Sequence, residues 1–166
     1  MIKRKNILKI AIDSPAAAGA GTLAKTISKY YNLLYVDTGK VYRLIALYNL
    51  ELPKKFNLKF IKKKIKYLKI KDLKNKKLLS DEVGTEASRI AKNKNIRKLI
   101  YSFQKKLAYN PPKKYDGSCL DGRDITYKII PDADFKFYIT ANLKTRAYRR
   151  YKELKLLNKA VTYNEV

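Results

Sequence analysis

AIDSPAAAGAGT, residues 11–22, is the stretch on which the fold turns. On its left, residues 6–12 (NILKIAI) read as a buried strand, closed by Asp13-Ser14-Pro15. On its right, Leu23, Ile27, Tyr30 and Tyr31 recur at helical spacing and predict the packed face of a helix. A strand, a loop of small residues and a helix opening near Gly21-Thr22 aim free backbone N–H groups and the helix dipole at one point, a geometry that cradles phosphate. Candidates for that cradle are Ser14, Ala16, Ala17, Ala18, Gly19, Ala20, Gly21 and Thr22, with the Thr22 hydroxyl placed for Mg²⁺. Against the pattern G-x-x-x-x-G-K-[ST], however, Ser14 stands at the first glycine and Ala20 at the lysine. Taken alone, the segment fits an ordinary strand-to-helix turn equally well.

The flanking sequence repeats the alternation. Leu33–Val36 reads as a second strand running into Asp37-Thr38-Gly39, and Val41, Leu44, Ile45 and Tyr48 mark an amphipathic helix. Such alternation predicts an α/β fold, a parallel sheet flanked by crossover helices. Residues 52–79 are lysine-dense and read two ways: Ile61, Ile65 and Leu68 suit a helix, whereas IKYLKIK (65–71) suits a strand. Helices are expected near 82–92 and 94–108, the second with Ile96, Leu99, Ile100, Phe103 and Leu107 as its apolar stripe and Pro111-Pro112 as its stop. Ser118–Leu120 and Phe135–Ile139 read as further strands, and Asn142 as the cap of an arginine-rich helix. The closing AVTYNEV (160–166) looks like the start of a helix, so a longer reading frame is expected.

The chain has 166 residues, enough for one domain, and 39 Lys and Arg against 14 Asp and Glu, a net charge of +25. Of the basic residues 31 are lysines, spread along the chain as a solvated surface is, so nucleic acid is not the expected partner. The tyrosines fall mostly within helical stripes rather than in glycine-rich strand motifs, which also argues against RNA. The eight arginines are more informative, because the guanidinium fork can hold a phosphate through two parallel bonds. One cysteine, Cys119, and no histidine exclude a disulfide framework, His-ligated metals and His general bases. No run approaches a membrane span and Lys9 and Asp13 break the first apolar segment, so a soluble cytoplasmic protein is expected.

Six segments, in order, resemble the bacterial cytidylate kinases, a nucleoside-monophosphate kinase family. Ile12–Thr22 is similar to I-D-G-P-A-G-x-G-K-G-T, differing at Ser14, Ala17 and Ala20. Asp37-Thr38-Gly39-Lys40-Val41-Tyr42-Arg43 resembles D-[ST]-G-x-x-Y-R, and Glu82–Ala91 resembles E-V-[SG]-x-x-A-S-x-[VI]-A. Ile96–Gln104 resembles V-R-x-x-L-x-x-x-Q, and Asp121–Ile125 with Pro131-Asp132-Ala133 resembles D-G-R-D-[IM]-G…P-D-A. Thr140-Ala141 and Arg146–Leu154 resemble the start of the family's lid. The resemblance implies a P-loop kinase fold that moves the γ-phosphate of ATP, with Mg²⁺, to CMP or dCMP. It implies one domain: core 1–50 and 96–140, acceptor-binding insert about 51–95, and a lid starting at 141 whose remainder lies beyond 166. A monomer is expected. Arg43 and Arg123 would hold the acceptor's phosphate; Ser88, Arg97 and Asp124 would read the cytosine edge; Thr38 would complete the acceptor site; Arg146 and Arg150 would close over the phosphates. The competing reading is a disabled kinase scaffold that binds nucleotide or RNA through its basic surface.

Ala20 removes the ammonium that reaches the β- and γ-phosphates. Because Arg43, Ser88, Arg97, Arg123 and Asp124 are all present, a working enzyme is expected, with another cation over the phosphates. Lys25, Lys40, Arg146, Arg149 and Arg150 are the candidates.

Overall fold

A computed structural model of the protein describes residues 7–52, 57–156 and 160–166. The first strand, β1 (Leu8–Asp13), matches the expected run from its third residue on; Asn6 lies outside the described residues. It is followed by α1 (Ala20–Tyr30), β2 (Leu33–Asp37) and α2 (Thr38–Leu50). Asn57 caps α3 (Leu58–Tyr67) by accepting from Phe60 N, so the ambiguous segment begins as a helix and continues through two short 3-10 turns to Leu79. Then come α4 (Asp81–Ala91), α5 (Lys94–Tyr109), β3 (Gly117–Gly122), a π-helical turn (Ile125–Ile129), β4 (Phe135–Tyr138) and α6 (Leu143–Leu156). Asn142 does cap α6, its Oδ1 accepting from Thr145 N at 2.8 Å. The closing residues form a single 3-10 turn, Tyr163–Glu165, rather than the opening of an α-helix.

The four strands are parallel, in the order β2-β3-β1-β4. One face is covered by α1: Ile10, Ile12, Leu33 and Cys119 pack on Ala20 and Ala24. The other face packs Ala11, Leu34, Val36 and Leu120 against Ala108, Ile125, Ile129 and Ile130. Burial pushes the Cys119 thiol up to about 11, as suits a core residue. A third cluster joins Val41, Leu44 and Ile45 of α2 and Ile96 and Ile100 of α5 to Ile61, Ile65, Leu73, Leu78, Val83 and Ile90, so residues 58–90 share their core with the two helices that flank them.

The expected face of α1 is corrected. Leu23, Tyr30 and Tyr31 are 36, 81 and 53 % exposed, while Ala20, Ala24 and Ser28 are buried. Small side chains let the helix sit close to the sheet; of the residues read at helical spacing Ile27 packs against this face, while Leu23, Tyr30 and Tyr31 point away. Tyr67, Tyr127, Tyr138, Tyr148 and Tyr163 are exposed as well, so the expectation that tyrosines lie mostly in packed stripes does not hold for these. Gln104 of α5, which is not part of the expected apolar stripe, is buried. Among the described residues no helix is long and apolar enough to cross a membrane.

Candidate active site

In a parallel sheet, ligands bind beyond the carboxyl ends of the strands. There β1, β2 and β3 end in Asp13, Asp37 and Asp121-Gly122. Their carboxylates have three different fates. Asp13 accepts from Ile125 N at 2.8 Å, Thr126 N at 3.0 Å and Thr126 Oγ1 at 2.5 Å, holding the turn after β3. Asp37 caps α2 by accepting from Lys40 N at 3.2 Å. Asp121 is 8 % exposed, and its Oδ1 is buried without a partner among the described residues. Burial, with Asp37 adding repulsion, pushes its carboxyl up to about 7, the Tyr35 hydroxyl and Lys25 giving partial relief. In the sequence Asp121 stands only as the first residue of the segment resembling D-G-R-D, with no role given to it; an acidic residue ending an apolar strand beside a small-residue loop was the signal available.

The loop keeps the shape of a phosphate cradle despite its substitutions. Ala17 takes the left-handed conformation (φ 59), at a strain of about 1–2 kcal/mol, and Gly19 follows at φ 102. Ser14 N donates to Gly122 O at 3.0 Å, tying the loop's start to β3. Side chains cap α2, α3, α4 and α5, from Asp37, Asn57, Ser80 and Asn93. At α1 the cap is Gly19, with no side-chain bond and no acidic residue in the first turn, so N–H groups remain free for an anion. Ala16 and Thr22 are exposed, Gly21 is half-buried, and Ala18 and Ala20 are buried.

Helix α6 lies over this loop. Arg149 Nη1 donates to Ala18 O at 2.8 Å and reaches Ala17 O at 3.4 Å. Arg146 Nη1 reaches Ala16 O at 3.5 Å, and its Nε is buried with no partner among the described residues. Arg150, the expected companion of Arg146, points elsewhere: it pairs with Asp81 at 3.6 Å and Glu153 at 2.8 Å.

Beyond the end of β3, Arg97, Tyr101, Tyr127 and Lys128 all donate to Asp124, which sits at φ 64 after the Gly122 turn. Burial works against that carboxylate, but the bonds from Tyr101, Tyr127 and Lys128 outweigh it and hold it at about 2. The Tyr101 hydroxyl beside Arg97 raises the guanidinium's pKa in turn. Tyr127 and Lys128 are absent from the sequence reading; they stand three and four residues after Asp124, close enough for a tight turn to bring them back. Arg43 Nη1 donates to Leu78 O at 2.7 Å and Ser80 O at 3.2 Å, and its other nitrogens make no hydrogen bond among the described residues. Arg123 is exposed and has no partner among the described residues. Ser88 donates to Gly84 O at 3.1 Å.

Thr38 is buried, and its hydroxyl donates to Asp121 O at 2.8 Å, so it braces the turn rather than facing a ligand. Gly122 (φ 154) makes that possible, since a Cβ there would lie 1.9 Å from Thr38 Oγ1. Gly122→Ala is therefore expected to destabilise the protein by about 2 kcal/mol or more, read from urea unfolding. A loss under about 0.5 kcal/mol would contradict this packing.

A family model described as cytidylate kinase matches residues 10–166. The chain belongs to the cytidylate kinase family. It is 45 % identical over 164 residues to the cytidylate kinase of Bartonella tribocorum, covering 95 % of this chain and 72 % of the relative. Against the cytidylate kinase of Fusobacterium nucleatum the identity is 35 % over 168 residues, 95 % of this chain and 75 % of the relative. Against that of Mesorhizobium japonicum it is 34 % over 163 residues, 97 % and 73 %. Within this cytidylate kinase fold, the basic residues Arg43, Arg97, Arg123, Arg146 and Arg149 belong to elements that adjoin the carboxyl ends of the sheet.

Proposed function

We propose that the chain transfers the γ-phosphoryl group of ATP to CMP or dCMP, giving ADP and CDP or dCDP. The single observation that carries this is the cluster in which Arg97 and Tyr101 share Asp124 on the turn that follows β3. A cytosine edge offers an amino donor and ring acceptors. An ionised Asp124 accepts from the first, and Arg97 donates to the second. Ser88 joins that edge on release from Gly84 O. Arg43 and Arg123 hold the acceptor's phosphate with their open fork nitrogens. Thr38 keeps the turn between them in place.

In the step itself, an oxygen of the acceptor's phosphate bonds to the γ-phosphorus as the bond to the β–γ bridging oxygen breaks, and ADP departs. The protein's share is positioning, neutralisation and exclusion of water. Free N–H groups at the start of α1 cradle the donor, and α6, as the start of a lid, covers it, with residues about 51–95 as the acceptor-binding insert in the same domain as the core. Asp121 and Thr22 would hold Mg²⁺. The fit rests on the buried, unpartnered Asp121 Oδ1 and the exposed Thr22, with nucleotide phosphates completing the oxygen ligands. When bound, the ion supplies neutralisation of the phosphate charge. One chain provides every residue named, so a monomer suffices.

The test is a coupled assay of ADP release with ATP and CMP, dCMP, UMP or AMP offered separately. CMP or dCMP is expected to exceed UMP and AMP by about tenfold or more in kcat/KM. Turnover of none of them, or AMP as the best acceptor, would overturn the proposal.

A further inference from the structure

We infer that the Tyr127 hydroxyl holds, in the free protein, the Asp124 oxygen that the base must take, and thereby sets how sharply the site separates cytosine from uracil; the inference rests on the acceptor site proposed above. The Asp124 carboxylate has two oxygens, with about four acceptor positions between them. Arg97, Tyr101 and Lys128 all donate to Oδ2. Tyr101 is fixed further by Arg97 Nε, which donates to its hydroxyl at 3.1 Å. Oδ1 has a single donor among the described residues, the Tyr127 hydroxyl. An incoming amino group is therefore kept off the crowded oxygen and directed to Oδ1, where it meets the phenol.

The π-helical turn makes Tyr127 the partner that can move. Ile125 and Ile129 are fully buried and Asp13 staples Thr126, so the backbone is anchored on both sides of residue 127. Tyr127 itself is 58 % exposed, its ring lying 4.8 Å from Lys128 Nζ. Rotation to another staggered side-chain conformer withdraws the hydroxyl and leaves the turn in place. A cytosine amino group then replaces the phenol donor for donor, so the hydroxyl is a competitor that CMP displaces. Uracil carries a carbonyl oxygen where cytosine carries that amino group, and a bare carboxylate repels it. A hydroxyl can turn its proton toward either oxygen, so Tyr127 offers uracil the donor that Asp124 cannot. The same group thus weakens CMP binding and strengthens UMP binding, which narrows the ratio between them.

The experiment compares wild type, Tyr127→Phe and Tyr127→Ala, with urea unfolding as the check that all three fold alike. Two readouts are taken: calorimetric binding of CMP and of UMP without ATP, and kcat and KM for each acceptor at saturating ATP. Tyr127→Phe is expected to bind CMP about three- to tenfold tighter and UMP about three- to tenfold more weakly, the worth of one hydrogen bond in each direction. The CMP-to-UMP ratio should then rise about tenfold or more, with kcat for CMP changed less than about twofold. Tyr127→Ala, which also lacks the hydroxyl, should share the gain for CMP. A residue that merely braced Asp124 would act the other way, so CMP affinity that falls or stays level in Tyr127→Phe would overturn the inference. Equal changes for the two nucleotides would overturn it as well. A gain in Tyr127→Ala alone would assign the obstruction to the ring and sink the role of the hydroxyl. If wild type binds CMP but phosphorylates no acceptor, the proposed reaction falls, while the affinities of the three proteins still judge Tyr127. Wild type that binds neither nucleotide would end both readings.

Discussion

Asp121→Asn is expected to make the ligand-free protein harder to unfold at pH 8 while lowering kcat by about 10³-fold. The two effects share one cause. Burial, reinforced by Asp37, lifts the Asp121 carboxyl to about 7 from an ordinary value of 3.8. Between those values the folded chain binds more protons than the unfolded one, so stability is greatest below about 3.8 and falls as pH rises through about 7. The full displacement is worth on the order of 4 kcal/mol. Asparagine carries no charge to bury, so the gap between variant and wild type should be small at about pH 4, grow through the window between the two values and be fully open by pH 8 in urea titrations. A variant less stable than wild type at pH 8, or one with an unchanged pH slope, would refute the account. The carboxylate is retained at this energetic disadvantage because it is the group that would hold Mg²⁺, and its loss should appear as the fall in kcat.

Asp124→Asn should produce the second large effect, a loss of about 10²–10³-fold in kcat/KM for CMP, with UMP affected much less. Asp124 accepts from four side chains, and an amide in its place must turn an N–H₂ toward some of those donors. It also loses the ionised acceptor that suits an exocyclic amino group. Because the folded carboxyl is held at about 2, its contribution is present above the ordinary 3.8 and disappears only as pH falls through about 2. The KM for CMP should therefore show no inflection from this group between pH 8 and pH 5. Equal losses for CMP and UMP would mean that Asp124 only braces the turn.

Much of the frame was legible because strand and helix periods differ and small-residue stretches punctuate them. The run from β1 through the loop to α1, and the return through β2 and α2, needed no more than that. What sequence missed follows from packing rather than from pattern. On α1 the large side chains suggested the buried face, yet the sheet accepts Ala20, Ala24 and Ser28 because close approach favours small residues. On α6 the spacing of Arg146, Arg149 and Arg150 could not say which of the last two faces the loop, since adjacent residues sit about 100° apart and only docking fixes the phase. Tyr127 and Lys128 reach Asp124 through a π-helical turn, a local geometry with no strong sequence signal. Asp13, Asp37 and Asp121 look alike in sequence. Only their neighbours separate a staple, a cap and a carboxylate left for chemistry.

The staple matters beyond its three bonds. Asp13 belongs to the strand that leads into the proposed donor loop, and it grips the very turn that carries Arg123 and Asp124, the residues proposed for the acceptor. The halves of the site are thus machined into a single rigid jig, with their spacing set by one strand end instead of by two loops. Phosphoryl transfer asks for reacting atoms about 3–3.5 Å apart, and a slip of about 1 Å can lower the rate about 10²-fold. On the proposed reading, tolerance of that order is kept by a buried carboxylate whose hydrogen bonds, among the described residues, go to the turn after β3.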